Sequence, residues 1–293
     1  MSRGDFHTHS TRSDGTLTPA ELVRLAWRNG VRVLALTDHD TLEGIAEARE
    51  AARELPGMRL VPGVELSCDL PGSELHMLGL FVDPDDVSFA AELARFRENR
   101  VARGRAIVEA LEGLGAPIDW ERVREIAGDA SIGRPHIAQA LLERGHVASI
   151  REAFDRFLAN DGPGYVSREK LEPERAIEMI AEAGGISVFA HPSFTREHAE
   201  IARRLAGAGL FGIEVYYKDY VPELVEELRE LADGLGLFPL GGSDFHALPG
   251  QREREPGDIP LPDEVVERLL EEVGRRGCRV PEPAPPRARG PSS

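Results

Sequence analysis

Two histidines near the amino terminus, His7 and His9, have the spacing of paired metal ligands. They lie in GDFHTH, a segment whose residues are typical of a short β-strand. Side chains two positions apart in a strand point to the same face, so both imidazoles would face one side. Asp14 follows in the next loop and adds a carboxylate near them. This stretch predicts one half of a metal site, and the rest of the chain must supply the other half.

Six further histidine, aspartate or glutamate side chains end or follow strand-like segments. They lie in TDHD, PGVELS, HMLG, FAHP and GSDFH, as His39, Glu65, His76, His191, Asp244 and His246. The carboxyl ends of parallel strands meet at one end of an α/β barrel, so we expect all nine to converge there. Each residue alone would more often be structural. Their common position favours a single site, in which Asp244 and His246 repeat the spacing of the opening pair.

The types of these side chains indicate the metal. A mixed set of imidazoles and carboxylates without thiolate suits Mn, Zn or Fe(II), and nine ligands exceed the needs of one ion. We therefore expect two to three divalent ions. Asp14, Glu65 and Asp244 contribute −3, and three divalent ions would add +6, which leaves the pocket near +3. A cationic pocket in an acidic protein fits a phosphorylated substrate.

Strand-like and helix-like segments alternate along most of the chain, which predicts a mainly parallel sheet covered by helices, as a closed or nearly closed barrel. A helical stretch without strand-like segments interrupts this alternation. We divide the sequence into a first barrel segment, a helical insertion that we call the cap, a second barrel segment and a Pro-, Arg- and Ser-rich disordered tail: 1–94, 95–164, 165–278 and 279–293.

Composition excludes several classes of function. The net charge of −16 argues against a wide nucleic-acid-binding face, so we expect no duplex DNA as partner. No apolar run approaches the roughly 20 residues that span a bilayer, and no signal peptide pattern is present, so we expect no membrane association. Two cysteines, Cys68 and Cys278, are too few for a disulfide framework and favour the reducing cytoplasm. The oligomeric state stays open.

The ordered motifs HTHS, TDHD, PGVELS, HMLG, FAHP and GSDFH, with the Asp14 loop between the first two, resemble those of the PHP (polymerase and histidinol phosphatase) superfamily. The resemblance covers nearly the whole chain. It implies an α/β fold, a distorted (β/α)7 PHP barrel with a helical insertion domain, and a centre of three metal ions. It also implies a metal-dependent phosphoesterase in which metal-activated water attacks phosphorus.

The resemblance also implies which side chains hold each ion. It assigns His7, His9, Glu65 and Asp244 to the first ion, Glu65, His76 and His191 to the second, and Asp14, His39 and His246 to the third. Some family members have a histidine where Asp14 stands. Every ligand position is filled here, which disfavours the alternative of a non-enzymatic binding or regulatory module.

Three further segments, IGRPHIA, GYVSREKLEPERAI and GGISVFAHP, resemble one subgroup of that superfamily. Its members are nucleoside 3′,5′-bisphosphate phosphatases and 5′-to-3′ exoribonucleases that trim short RNA. The resemblance implies hydrolysis of the 3′-phosphate of nucleoside 3′,5′-bisphosphates, of short 5′-phosphorylated RNA from its 5′ end, or of both. A histidinol-phosphate phosphatase is the alternative enzyme, and it would not need a cap that binds a second phosphate.

Arg134 and His136 flank a proline at a predicted helix start, where a phosphate could bind. Pairing of Arg134 with a carboxylate is an equal alternative. The other candidates for phosphate binding in this region are Arg97, Arg100, Arg168 and Lys170. The five arginines of RFRENRVARGR are interpreted mainly as a solvated helix face, with one or two facing a phosphate as the lesser alternative.

Two further roles remain open at the level of sequence. Asp40 or His246 could assist proton movement, and neither can be singled out as the general acid. Tyr165, Tyr216 and Tyr217 could stack on a base, although packing in the core is the favoured interpretation for all three.

Overall fold

A computed structural model describes residues 1–70, 73–128, 132–159, 162–166, 171–248 and 253–285. Seven strands in these ranges form one sheet in chain order: β1 Gly4–Asp5, β2 Val33–Leu36, β3 Arg59–Leu70, β4 Ser73–Leu80, β5 Ile186–Phe189, β6 Gly212–Tyr217 and β7 Phe238–Gly242. Neighbouring strands are parallel except at β4, which is antiparallel to both β3 and β5. Only two residues separate β3 from β4, too few for the crossover that parallel strands require.

The two ends of the sheet meet, so that it forms a nearly closed barrel. Three backbone hydrogen bonds of 2.8 to 3.2 Å join residues 6–9 to residues 241–245. β1 ends at Asp5, so His7 and His9 follow the strand instead of lying within it. An isolated parallel bridge between the two segments keeps the strand-like alternation that places both imidazoles on one side.

Helices in the described ranges cover the barrel and form the cap: α1 Pro19–Arg28, α2 Ile45–Arg53, α3 Val87–Gly113, α4 Trp120–Ala127, α5 Arg134–Glu143, α6 Ile150–Ala153, α7 Pro173–Glu182, α8 His198–Gly207, α9 Pro222–Leu235 and α10 Asp263–Arg275. α1 begins at Pro19 because Thr18 and Glu21 cap each other's backbone N–H groups. No helix in the described part of the chain combines the length and apolarity needed to traverse a membrane.

The long helix α3 connects two separate hydrophobic clusters. Phe89 and Leu93, near its start, pack into the barrel core. Ile107 and Leu111, further along, belong to a second cluster formed within residues 107–158. The helix therefore runs without a break across the predicted boundary between barrel and cap, because its apolar residues are buried at both ends. The division of the chain into barrel and cap stays a prediction.

Residues 279–285, which the sequence assigns to a disordered tail, instead lie against the barrel. The Ala284 N–H donates to the carbonyl of Met58 at 2.9 Å, and its own carbonyl accepts from the N–H of Gly57 at 2.9 Å. These backbone bonds hold the segment beside the start of β3, an arrangement that side-chain composition does not encode. Residues 286–293 lie outside the described ranges.

Candidate metal centre

The centre is built around Glu65, which lies inside β3 and is 1% exposed. Its two carboxylate oxygens lie 2.7 to 3.3 Å from ring nitrogens of five histidines: His7, His9, His39, His76 and His191. These imidazoles come from the ends of β1, β2 and β5 and from the middle of β4. The closed sheet brings them together from positions far apart in the sequence, as the spacing predicts.

The remaining three predicted ligands complete the ring around these histidines. Asp244 Oδ1 lies 3.4 Å from His7 Nε2 and 3.2 Å from His9 Nε2. Asp14 Oδ1 lies 3.3 Å from His246 Nε2. All nine predicted side chains therefore meet at one end of the barrel.

Three groups of side chains have ligand atoms within 4.8 Å of one another: His7, His9, Glu65 and Asp244; His39, Glu65 and His76; and His9, Asp14, His39 and His246. The first is the set implied for the first ion. The second contains His39 where the resemblance places His191, and the third adds His9. Several side chains therefore lie within reach of two positions, so the assignment of each ligand to one ion stays a proposal.

The donor set fits divalent cations. Four atoms of the candidate metal groups are buried without a hydrogen-bond partner in the described part of the chain: His7 Nε2, His9 Nε2, Asp14 Oδ1 and His39 Nδ1. Buried polar atoms are normally paired, because an unpaired one costs about 1–3 kcal/mol. Several such atoms aimed at shared points, in an environment of nitrogen and oxygen donors, are suited to a divalent metal.

The charges of the centre favour a cation as well. Burial alone would raise the pKa of Glu65, but the imidazoles of His39, His7 and His76 outweigh it and hold that pKa well below its usual range. Burial would lower the pKa of His246, but Asp14 and Asp244 outweigh it and raise the value to about 10.

His39 shows the opposite balance, because burial outweighs its carboxylate neighbours and lowers its pKa to about 3. A neutral imidazole is the form that coordinates a metal. The ionised carboxylates thus need positive charge beside them, and bound divalent ions could supply it in place of histidine protons.

The backbone is strained at three positions in this region. Asp40, His191 and Asp244 have φ angles of 52°, 28° and 47°, values that residues with a Cβ atom rarely adopt. Such conformations cost of order 1–3 kcal/mol each and persist where the surrounding structure holds them. Here they turn two proposed ligands and one neighbouring carboxylate toward the mouth of the barrel.

A cavity of about 210 Å³ lies between the centre and the cap. Its lining includes Asp14, His39 and His76 from the centre, and three guanidinium groups that reach it from the cap helices: Arg100, Arg103 and Arg134. Arg100 forms an ion pair through Nε with Asp40, and its Nη2 donates to Ser67 Oγ at 3.0 Å. The space beside the proposed metal ligands is therefore lined by three guanidinium groups, one of them paired with Asp40.

The candidates for phosphate binding are placed differently from one another. Arg134 lines the cavity, and its Nη1 donates to the carbonyl of Leu158 at 3.0 Å. His136 does not line the cavity in the described structure. It is buried, burial lowers its pKa, and its Nδ1 accepts from the N–H of Gly133 at 3.0 Å. His136 therefore caps α5. Arg168 and Lys170 lie outside the described residues.

A family model described as the PHP domain matches residues 5–160, more than half of the chain. The chain belongs to the PHP family. The protein is 36% identical over 279 residues to the 3′,5′-nucleoside bisphosphate phosphatase of Chromobacterium violaceum, covering 92% of this chain and 97% of that protein. It is 38% identical over 247 residues to the 5′-3′ exoribonuclease Rnm of Salmonella typhimurium, covering 83% and 84% respectively.

Solved structures agree with this assignment. The chain superposes on an amidohydrolase from Chromobacterium violaceum with a TM-score of 0.83 and 34% identity, covering 93% of this chain and 97% of that one. A Bifidobacterium adolescentis protein whose description names a metal-dependent phosphoesterase gives a TM-score of 0.79 at 31% identity, covering 91% and 95%. The predicted PHP fold and the predicted class, a metal-dependent phosphoester hydrolase, are confirmed.

One residue of this PHP centre that sequence reasoning missed is Glu214, in the buried strand β6. Its Oε1 lies 3.2 Å from His7 Nδ1, and its Oε2 accepts from the backbone N–H of His191 at 2.7 Å. A carboxylate on the far nitrogen of a proposed ligand fixes the ring's tautomer and orientation. The signal was a single glutamate inside the otherwise apolar segment FGIEVYY.

Asp38 was also missed, although the TDHD motif contains it. Its carboxylate accepts from the N–H and hydroxyl of Ser10 and from the hydroxyl of Ser13, each at 2.7 Å. These bonds pin the loop that carries Asp14. Asp38 therefore positions a proposed ligand without reaching the centre itself.

Tyr217 and Lys218 both donate hydrogen bonds to Asp244 and hold it in place. The Tyr217 hydroxyl donates to Asp244 Oδ2 at 2.7 Å, and Lys218 Nζ donates to the Asp244 carbonyl at 2.7 Å. The signal was available, because the chain contains only two lysines. The interpretation of the sequence considers Lys170 and not Lys218. Tyr216 and Tyr217 are buried, as the favoured interpretation predicts.

We predict that Glu214→Gln weakens metal binding. The substitution keeps the shape but removes the negative charge beside His7 Nδ1, and loss of such a partner typically costs about 10- to 100-fold in metal affinity. Competition with a chromogenic chelator measures the affinity directly. Glu227→Gln, an exposed glutamate on α9, is the matched control and should bind like the wild type. An unchanged affinity in Glu214→Gln would show that its carboxylate does not support the centre.

Proposed function

We propose that this PHP enzyme removes the 3′-phosphate from nucleoside 3′,5′-bisphosphates and acts by the same chemistry on short 5′-phosphorylated RNA from its 5′ end. The observation that carries the proposal is the arginine-lined cavity directly beside the nine converging ligands. The names of the two sequence relatives, a nucleoside bisphosphate phosphatase and an exoribonuclease, support it. Both substrates carry a second phosphate near the scissile one.

The nine side chains at the mouth of the barrel are the proposed metal ligands, for two to three ions per chain. Manganese is the proposed metal, with iron or zinc as alternatives, because the donors are imidazoles and carboxylates. When bound, such ions polarise the phosphoryl oxygens and supply a nucleophile from water. Glu214 and Asp38 orient the ligands from behind, and Tyr217 holds Asp244 by its hydroxyl.

The cap supplies the proposed site for the non-reacting phosphate. Arg100, Arg103 and Arg134 line the cavity, beside the amino-terminal end of α5 at Gly133. Guanidinium groups are suited to a phosphate dianion. Asp40 is engaged by Arg100, so we assign it a positioning role in place of the proton transfer considered from sequence. His246 remains the proposed side chain for proton movement.

The same cavity separates the proposal from a histidinol-phosphate phosphatase. That substrate has one phosphate, which the bound metal ions alone would hold, and its free amine is cationic. An amine placed among three arginines would be repelled, whereas a second phosphate would be attracted. The charge of the cavity therefore favours a bisphosphate.

Replacing both opening histidines tests the metal centre. His7→Ala combined with His9→Ala removes ligands from the group that includes Glu65 and Asp244. We expect turnover to be abolished and metal content to fall below the two to three ions of the wild type, as measured by elemental analysis. His198→Ala, which changes a histidine outside the centre, should leave both values unchanged. Full activity in the double variant, or in chelator-stripped wild type, would contradict the multi-metal proposal.

Substrate comparison tests the proposed function itself. Wild-type protein loaded with Mn should release phosphate from adenosine 3′,5′-bisphosphate with a much higher kcat/KM than from histidinol phosphate, because only the bisphosphate engages the arginine cavity. Phosphate release over both compounds and short 5′-phosphorylated oligoribonucleotides gives the ranking. A higher kcat/KM for histidinol phosphate would show the nucleotide assignment to be wrong.

Arg134→Ala tests the cavity. Truncating one partner of a buried charge pair typically costs about 2–5 kcal/mol, so kcat/KM for the bisphosphate should fall at least ~30-fold. Turnover of a monophosphate should change little, and metal content should stay constant. Arg134→Lys should restore part of the activity, since an ammonium lacks the planar fork. Arg124→Ala, at an exposed arginine of α4, is the control. An unchanged ratio between the two substrates would assign Arg134 a structural role.

A further inference from the structure

Phe194 is the most exposed aromatic ring in the described part of the chain, with 68% of its surface accessible. It ends a short 3-10 turn, Pro192–Phe194, that begins directly after His191. Single exposed hydrophobic residues are common on protein surfaces and need no explanation by themselves. The position of this one, at the edge of the metal centre, is what distinguishes it.

The ring is held against the centre and does not project freely. Its centroid lies 5.4 Å from that of His191 and 5.8 Å from that of Tyr217, with interplanar angles of 48° and 83°. A hydrogen bond also fixes the turn, because the N–H of Ser193 donates to the hydroxyl of Tyr220 at 3.2 Å. Phe194 therefore has a defined orientation while most of its surface remains available to a ligand.

A short line of rings leads from the arginine cavity to this surface. His76 lines the cavity. The ring centroid of His76 lies 5.0 Å from that of His191, which in turn lies 5.4 Å from that of Phe194. The rings of His76 and His191 thus connect the cavity to the exposed ring of Phe194 along the edge of the metal centre. A nucleotide whose phosphates occupy the cavity and the centre would place its base near Phe194.

We propose that Phe194 is the stacking surface for the nucleobase of the substrate. The inference rests on the proposed function and adds the part of the nucleotide that phosphate binding leaves unassigned. Stacking uses the π-face that every base possesses, so it confers affinity without choosing among bases. Phe194 would therefore select nucleotides over other phosphate esters. The tyrosines considered from sequence are less suited, since Tyr216 and Tyr217 are buried and Tyr165 is half as exposed as Phe194.

The test compares a nucleotide with the same molecule lacking its base. The substrates are adenosine 3′,5′-bisphosphate and 1-deoxyribose 3,5-bisphosphate, which keeps the 2-hydroxyl, each with wild type, Phe194→Ala and Phe194→Tyr. Loss of base stacking on alanine substitution corresponds to about tenfold or more in affinity. We expect Phe194→Ala to lower kcat/KM for the adenosine substrate by that factor, mainly through KM. The base-free substrate should change less than twofold, and Phe194→Tyr should restore wild-type behaviour.

Metal content and an unrelated exposed residue serve as controls. Phe194→Ala should retain the metal content of the wild type, and Val87→Ala, at a residue 82% exposed on α3, should leave both substrates unaffected. An equal fall for both substrates, or a loss of metal, would mean that Phe194 only positions His191 and would overturn the proposal. No change with either substrate would overturn it as well.

A binding measurement separates this inference from the proposed function. Calorimetric titration of the metal-loaded protein with adenosine 5′-monophosphate and with ribose 5-phosphate requires no turnover. Preferential binding of the nucleotide that disappears in Phe194→Ala supports base stacking even if the wild type fails to cleave the bisphosphate. Equal binding of the two compounds by wild type would overturn base stacking, even if bisphosphate cleavage is observed.

Discussion

A buried carboxylate surrounded by five imidazoles is the interaction on which the rest of the molecule depends. Glu65 is almost fully removed from water, where an ionised carboxylate is costly unless it is paired. The pairing groups come from β4 and from the segments after β1, β2 and β5, so the carboxylate stays ionised only where the curled sheet brings those segments together. The backbone bonds between residues 6–9 and 241–245 close the barrel and bring Asp244 beside His7. Closure of the barrel therefore completes the centre.

The sequence predicts the barrel and the convergence of the nine proposed ligands, because most of them end or follow strand-like segments. It does not predict the residues that support them. Glu214 lies inside an apolar strand, where only its charge is unusual, and Asp38 stands beside a stronger candidate in the same motif. Their roles depend on contacts with His7 and the Ser10 loop, which are remote in sequence. Glu214 and Lys218 also add opposite charges, so the charge of the centre estimated from the ligands alone is unchanged.

The sequence does not predict which arginines of the cap face the cavity. Several of them lie on one helix, and only the tertiary structure decides which turn inward. Arg97 pairs with Glu43 at the surface, whereas Arg100, one turn later, reaches Asp40 and Ser67 at the mouth of the barrel. His136 is a candidate for phosphate binding in the sequence, but its ring completes the start of α5. Composition likewise suggested disorder for residues 279–285, because backbone pairing to a strand requires no particular side chains.

The unbroken course of α3 has a mechanical consequence. A helix of 27 residues is a stiff rod about 40 Å long at 1.5 Å per residue. Its first turns pack into the barrel core and its far end packs into the hydrophobic cluster of the cap, without a break in the helix between them. Tilting such a rod by a few degrees about its embedded end moves the far end by several ångströms, carrying Arg103 with it. The position of Arg103 in the cavity wall therefore depends on how Phe89 and Leu93 pack in the barrel core, and a mutation that repacks either residue acts on the cavity from a distance.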